Sequence, residues 1–182
     1  MDDKVVTRFG ETHDQRVKRI INRYQSCVSK INTIFGLIFD ETCKPHVTYS
    51  KHGCCIGNGP QYFGPAKEEL YKKRTEIRKS KIREGINLNN SCSFLDLNSG
   101  CILDDIKPPL CIAASCHYDF LERKYNVRLG KDFYIFYEMT NILNDNISQD
   151  RMDAFENYLE LAIEKIKHTQ GISWQETEKA IA

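Results

Sequence analysis

Residues 14–40, DQRVKRIINRYQSCVSKINTIFGLIFD, carry a helical pattern of apolar side chains. These side chains recur every three or four positions, at Ile20, Ile21, Tyr24, Cys27, Val28, Ile31, Ile34, Phe35, Ile38 and Phe39. This spacing places them along one face of an α-helix, which can be buried while the other face meets water. The stretch therefore predicts a long amphipathic helix, with Gly36 as a point where it can break.

The rest of the chain predicts more helices and one loop-rich region. Pro65 suits the first position of a helix that Gly85 can close, and Ser173 with Glu176 has the spacing of a capping box. The prediction is a mainly α fold with little or no β, in one domain over 1–182. The domain is predicted to have a metal-binding core at about 43–117 and a helical part at about 118–182. The predicted helices after the first are at 65–85, 113–125, 132–143, 149–168 and from 173. The loops predicted to converge on the metal are at 41–64 and 86–117, and the second of these begins with a hairpin-like or irregular stretch at 86–110.

Overall charge does not select a class of partner. The chain has 26 basic and 25 acidic side chains, a net charge of +1, and 41% hydrophobic residues among 182. A nucleic-acid or membrane partner is therefore not expected from charge. The polar amino terminus contains no apolar signal segment, and no stretch approaches the ~20 apolar residues of a membrane span. These observations predict a cytoplasmic protein.

Eight cysteines are unusual for such a chain, and seven of them lie between residues 43 and 116. In a reducing compartment, clustered thiols bind metal more often than they form disulfides. Cys27 stands apart on the apolar face of the first helix and is predicted to be a small buried side chain rather than a ligand. The other seven are Cys43, Cys54, Cys55, Cys92, Cys101, Cys111 and Cys116.

The cysteine spacing excludes two common metal sites but does not identify the metal. Cys92-x8-Cys101-x9-Cys111-x4-Cys116 lacks the paired C-x2-C of zinc fingers and the cysteine run of bacterial ferredoxins. Thiolate ligands select zinc, copper(I) or iron–sulfur clusters. The residues themselves leave these metals open.

The order of these cysteines resembles the YkgJ-type CxxxCC family, described as zinc- or iron-chelating domains. The resemblance covers about residues 43–116 and rests on Gly53-Cys54-Cys55, Cys92-Ser-Phe-Leu, Gly100-Cys101-Ile-Leu and Lys107-Pro108-x-x-Cys111. This chain differs from the family pattern in having Leu103 for Tyr and Lys107 for Arg, and in lacking the early C-x2-C. The resemblance implies a cysteine-bound cluster, [4Fe-4S] in type, with zinc as the alternative.

The candidate metal ligands are Cys54, Cys55, Cys92, Cys101, Cys111 and Cys116. A cubane cluster with full protein ligation needs four thiolates. We expect Cys101, Cys111 and Cys116 with either Cys55 or Cys54, and Cys92 as the competitor for one place, because adjacent side chains point apart along extended backbone.

Histidines and the Lys107-Pro108-Pro109 turn surround these thiols. His46, His52 and His117 could ligate a metal or shuttle protons, although exposed or hydrogen-bonded imidazoles are the more frequent case. His52 is the leading non-thiol candidate. The two prolines predict a stiff bend that presents Cys101 and Cys111.

Two further patterns have ordinary structural explanations. The basic helix at 67–83 has interleaved glutamates and is expected to be a solvated face rather than a phosphate-binding one. The aromatic run at 133–137 is expected to pack in the core, and Glu138 would be a catalytic candidate only if it were buried beside the cluster.

Three functions therefore remain open, and the substrate and redox partner are unknown. The first is an iron–sulfur protein acting as a redox enzyme or electron carrier. The second is a structural zinc-binding adaptor, and the third is metal delivery.

Overall fold

Helix α1 (His13–Leu37) of the computed structural model packs against two later helices, Tyr134–Leu143 and Gln149–Thr169, and against the 3-10 turn Asp104–Ile106. The structure describes residues 10–38, 61–86, 88, 94–96, 100–113, 117–131 and 134–171. Thr12 caps α1: its side chain accepts a hydrogen bond from the Gln15 N–H, and the Gln15 side chain accepts one from the Thr12 N–H. This capping box satisfies amide groups that the first turn leaves without partners. The predicted helix is confirmed, and it continues through Gly36 without a break.

The remaining described elements are short except for two helices. They are α2 (Lys67–Arg83), β1 (Leu95–Asp96), β2 (Gly100–Cys101), a 3-10 turn (Asp104–Ile106), α3 (Pro109–Ala113), α4 (His117–Tyr125), α5 (Tyr134–Leu143) and α6 (Gln149–Thr169). Strands β1 and β2 are antiparallel, with Leu95 opposite Cys101. The predicted mainly helical fold is confirmed, because each of these strands has only two residues.

Two predicted helix boundaries change in the structure. Helix α2 starts after a turn at Pro65 and ends at Arg83, and Gly85, the residue predicted to close it, has a φ of +81° that suits glycine. The irregular stretch predicted to continue to residue 110 instead gives way to a helix at Pro109, because proline is favoured at the first position of a helix. Residues 41–60 of the predicted loop and the predicted helix at Ser173 lie outside the described residues.

Helices α1, α5 and α6 form what we call the helical frame. The stripe of α1 from Ile20 to Ile38 is buried against the inner faces of α5 and α6. The buried side chains of these two helices are Ile135, Glu138, Met139, Ile142 and Leu143 in α5, and Met152, Phe155, Leu159, Ala162 and Ile166 in α6. Burial of this apolar surface is the main stabilising contribution to the frame.

Ion pairs join the frame at its edges. Asp145, after α5, accepts hydrogen bonds at 2.7 Å from Arg16 Nε and from Arg19 Nη1. Burial alone would raise the pKa of this carboxyl, but the hydrogen bonds from Arg19 and Arg16 outweigh burial and hold its pKa below the ordinary value. On the other side of α1, Lys30 pairs with Glu156 and Glu160 of α6 at 3.1 and 2.9 Å. These pairs fix α1 relative to the connection between α5 and α6 and to the middle of α6.

Within the described residues, no helix is both long enough and apolar enough to cross a membrane.

Candidate metal centre

Two of the six candidate ligands, Cys101 and Cys111, belong to the described part of the chain. Cys101 ends β2 and is partly buried, whereas Cys111 lies in the first turn of α3 and is exposed. The other four candidates, Cys54, Cys55, Cys92 and Cys116, lie outside the described residues. So do Cys43, His46, His52 and the side chain of His117. We call the chain from Cys101 to Cys111 the thiol segment.

The thiol segment is a bend with an apolar inner side. Leu103, Ile106 and Ile112 are each 1% exposed and belong to the core. Lys107 has φ −56° and ψ 131°, the extended conformation that a following proline favours. Pro108 and Pro109 are buried, and Pro109 starts α3. The predicted stiff bend between the two thiols is therefore present.

Helix α1 binds the backbone of this bend through a tyrosine and an asparagine. The Tyr24 hydroxyl donates a hydrogen bond to the carbonyl oxygen of Lys107, and Tyr24 is fully buried. Asn32 Nδ2 donates to the carbonyl oxygen of Asp104 at 3.1 Å, and Asn32 Oδ1 accepts from Lys107 Nζ at 2.6 Å. Asp104 has a φ of +40°, which is costly for a residue other than glycine, so these contacts offset local strain.

A further side chain of α1 extends the same set of contacts. Gln25 Nε2 donates to Asp105 Oδ2 at 2.5 Å. Tyr24, Gln25 and Asn32 lie on one edge of α1, since helical residues separated by seven or eight positions return to the same side. The bend is thus attached to α1 through two residues of its 3-10 turn and through Lys107.

Tyr62 holds the bend from another direction. Its hydroxyl donates to the carbonyl oxygen of Ile106 at 2.5 Å, and its side chain is 2% exposed. Its ring meets the ring of Tyr71 of α2 edge to face, with centroids 5.3 Å apart. Tyr62 therefore connects the thiol segment with α2.

Both described thiols contribute to the electrostatic surroundings of Tyr62. Burial raises the pKa of the Tyr62 hydroxyl most, Arg74 opposes this change, and Cys111 and Cys101 each raise the pKa further. Cys111 also raises the pKa of Tyr24, after burial and Tyr62. Cys101 and Cys111 therefore lie within electrostatic range of the Tyr62 hydroxyl.

Arg74 supplies a positive charge in this region. Its guanidinium lies 4.5 Å from the centroid of the Tyr71 ring and 5.0 Å from that of Phe94. Contacts with two rings hold the cation in place, and its charge reaches the Tyr62 hydroxyl, whose pKa it lowers.

The described donors fit a thiolate-bound metal only as part of a larger set. No group of three or more His, Cys, Asp or Glu side chains among the described residues could hold a metal ion. Cys101 and Cys111 supply two soft ligands of the four that a cluster or a structural zinc needs. The remaining ligands would have to come from the candidates outside the described residues.

Cys27 is buried in the core, as predicted. It is 0% exposed in the frame, and its sulfur lies 4.0 Å from Glu156 Oε1. Burial, followed by the charge of Glu156, raises the pKa of this thiol to about 12. Cys27 is therefore a protonated core side chain at neutral pH, and its predicted burial is confirmed.

The basic helix and the aromatic run have different outcomes. Leu70 is the one buried side chain of α2, so the helix presents most of its surface to solvent, and its lack of phosphate binding stays a prediction. The prediction that the aromatic run packs in the core is wrong for Tyr134 and Tyr137, which are 37% and 58% exposed. The reason is that they fall on the outer face of α5, whereas Ile135 and Met139 fall on its inner face. Phe133 lies outside the described residues.

Glu138 is buried as a catalytic role would require, but its contacts are structural. Its carboxylate is 2% exposed and accepts hydrogen bonds from Arg151 Nη2 at 2.7 Å and from Arg151 Nε at 3.1 and 3.2 Å.

Sequence patterns did not reveal the side chains that hold the bend. Tyr24 fits the helical spacing of the apolar residues of α1 and looks like one of them. Tyr62 follows a glycine-rich stretch that has no periodic pattern. Neither position carries a local signal that distinguishes a tyrosine bound to a distant carbonyl from an ordinary core residue.

Comparison with protein-family models, curated proteins and solved structures finds no match for this chain.

Proposed function

We propose that this chain binds an iron–sulfur cluster, [4Fe-4S] in type, and acts as a redox enzyme or an electron-transfer component. The observation that carries the proposal is that Cys101 and Cys111 lie at the two ends of a bend whose backbone carbonyls are held by Tyr24 and Tyr62. The order of the cysteines, with its resemblance to the YkgJ-type family, supports the choice of cluster.

The thiolates of Cys101 and Cys111 would hold the cluster together with Cys116 and one of Cys54, Cys55 or Cys92. A bound cluster would supply one-electron transfer. The residues of the bend contribute in a different way, because they present the two thiols in a fixed arrangement before the metal binds. Fixing ligands in advance lowers the conformational entropy lost on binding.

Arg74 and the buried tyrosines would set the surroundings of the cluster. The Arg74 cation offsets part of the negative charge of a thiolate-bound cluster. Tyr24 and Tyr62 exclude water from one side while their hydroxyls remain bound to backbone carbonyls. Burial and nearby charge are two of the features through which a protein sets a cluster's reduction potential.

Anaerobic purification followed by metal and sulfide analysis tests the proposal. We expect a brown protein that contains iron and acid-labile sulfide in equal amounts and loses its visible absorption on reduction by dithionite. A colourless protein that contains zinc and no sulfide after the same preparation would contradict it and would favour a structural zinc module. Zinc that a mild chelator removes while the helical circular dichroism stays constant would favour metal delivery.

A further inference from the structure

A groove on the face of the protein formed by α5, the start of α6 and residues 128–131 has the properties of a small-molecule site. Its volume is about 540 Å³. Small-molecule sites have volumes of about 300–1,000 Å³, so the groove can hold one ligand of moderate size. Neither of the described candidate metal ligands, Cys101 and Cys111, lines it.

The charge of the groove favours an anion. Arg128, Lys131 and Arg151 line it, and Glu138 is the one acidic side chain among its described lining residues, so the lining carries a net charge of +2. Arg128 Nε also pairs with Glu122 at 3.1 Å, but both side chains are about half exposed, which leaves the guanidinium accessible. Cations that line a concave surface raise the local concentration of anions.

The pair between Glu138 and Arg151 fixes one of these cations. The buried carboxylate of Glu138 binds the Nε and Nη2 groups of Arg151. The Arg151 side chain is nevertheless 53% exposed, so the rest of its guanidinium faces the solvent. A guanidinium held in one plane loses little entropy when it binds phosphate oxygens.

Two tyrosines supply flat apolar surface beside the cations. Tyr134 is held edge to face by Phe155 and Tyr158, with ring centroids 5.8 and 6.1 Å apart. Tyr137 follows one turn later and is 58% exposed. Asn141, a further turn along α5, adds an amide that can both donate and accept hydrogen bonds.

We propose that this groove binds a nucleoside phosphate, with the phosphate groups against the three cations and the base stacked on Tyr137. Fixed cations alone would suit any anion, and exposed rings alone would suit any flat apolar group. The cations, the exposed rings and the Asn141 amide together suit a ligand that contains both an anionic group and a flat ring with polar edges. The inference is independent of the proposed metal centre, since the two share no described residue.

Titration calorimetry of the full-length protein with each of ADP, GDP, CDP and UDP tests this inference. Pyrophosphate and adenosine serve as the two half-ligands, and a single-stranded oligonucleotide as the competing class of ligand. We expect at least one nucleoside diphosphate to bind at least tenfold more tightly than either half-ligand, with affinity that falls as salt is added. Equal binding of pyrophosphate and ADP, binding of the oligonucleotide alone, or no binding of any of them would overturn the inference.

Variants assign the binding to this groove. Tyr137→Ala should weaken binding about tenfold, because the base loses the aromatic ring on which it stacks. Lys131→Ala should weaken binding and reduce its salt dependence. Lys79→Ala, which removes an exposed charge from α2, is the matched control and should leave the affinity unchanged. An equal loss in Lys79→Ala and Lys131→Ala would show that only net charge matters and would overturn the assignment.

Discussion

The helical frame and the thiol segment are both attached to α1, but through different interactions. The frame buries an apolar stripe of α1, including Val28, Ile31 and Ile34 at 0% exposure, against α5 and α6. The thiol segment is also apolar on its inner side, but its backbone carbonyls are held by single polar side chains, Tyr24, Asn32 and Tyr62. Many equivalent contacts stabilise the frame, whereas a few specific ones shape the segment.

This difference separates stability from metal binding. Substitutions in the frame should lower the free energy of unfolding, because apolar burial stabilises the whole molecule. Substitutions at the polar contacts should alter the positions of Cys101 and Cys111 at a smaller cost in stability. The following substitutions test this separation.

Leu159→Ala should give the largest effect. Leu159 of α6 is 0% exposed in the frame, and truncating such a side chain costs about 3 kcal/mol in lost burial and cavity formation. Urea unfolding followed by far-ultraviolet circular dichroism measures the change. Leu161→Ala is the matched control, since Leu161 lies on the same helix at 59% exposure and its truncation should cost under about 0.5 kcal/mol. Equal losses in the two variants would show that this face of α6 is not packed on α1.

Asp145→Asn should cost about 1.5 kcal/mol near neutral pH, because it removes the charge bound by Arg16 and Arg19. Asparagine tolerates the φ of +57° at this position, so the loss reports the charge rather than the backbone.

The Asp145 pair should also make stability depend on pH. The pKa of Asp145 is lower in the folded protein than in the unfolded chain. The ion pair therefore stabilises the protein fully at a pH above the unfolded-state pKa, and this stabilisation is lost as the pH falls through the folded-state pKa. Unfolding of the wild type and of Asp145→Asn should therefore converge in acid. A constant difference between the two proteins from neutral pH down to acid would contradict this account.

Tyr24→Phe should cost about 1 kcal/mol, the usual net contribution of one hydrogen bond, and should reduce the metal content more than Leu159→Ala does. The ring stays in the core while the Lys107 carbonyl loses its donor. Metal content per folded chain, after anaerobic purification, is the measurement. Tyr137→Phe removes a hydroxyl from an exposed ring and is the control. Full metal content in Tyr24→Phe would mean that the bend does not need this contact.

Gly36→Ala should give the smallest effect, a gain of about 0.5–1 kcal/mol, because alanine favours the helix and nothing lies within 4 Å of the added methyl group. Gly85→Ala has equally open surroundings, but its φ of +81° is strained for alanine, so it should lower stability. Thermal unfolding of both variants measures the two signs. A loss in Gly36→Ala would show that α1 requires flexibility near its end.

The helices could be predicted from the sequence because their patterns are local. The spacing of apolar residues predicts α1, and Pro65 with Gly85 brackets α2. The short helix α3 was hidden because Lys107-Pro108-Pro109 has the composition of a turn, although Pro109 also suits the first position of a helix, and packing of Ile112 in the core favours the helix. Local patterns do not report such long-range packing.

The candidate site was predictable only in its chemistry. The clustered cysteines indicate soft metal ligands. The hydrogen bonds that hold the bend are not visible in the sequence, because Tyr24 binds a carbonyl 83 positions away in the chain and Tyr62 binds one 44 positions away. The exposed side of α5 was missed for a related reason: a run of aromatic residues covers both faces of a helix, and the partner helices decide which face is buried.

The most direct test of the metal centre is the iron and sulfide content of three single variants purified without oxygen. Cys101→Ser and Cys111→Ser each remove a thiol at one end of the bend, whereas Cys27→Ser removes the buried thiol near Glu156. We predict that Cys101→Ser and Cys111→Ser lose most of the iron and sulfide per folded chain, while Cys27→Ser retains the wild-type amounts. Wild-type iron and sulfide in both Cys101→Ser and Cys111→Ser would contradict the assignment of these two thiols as ligands.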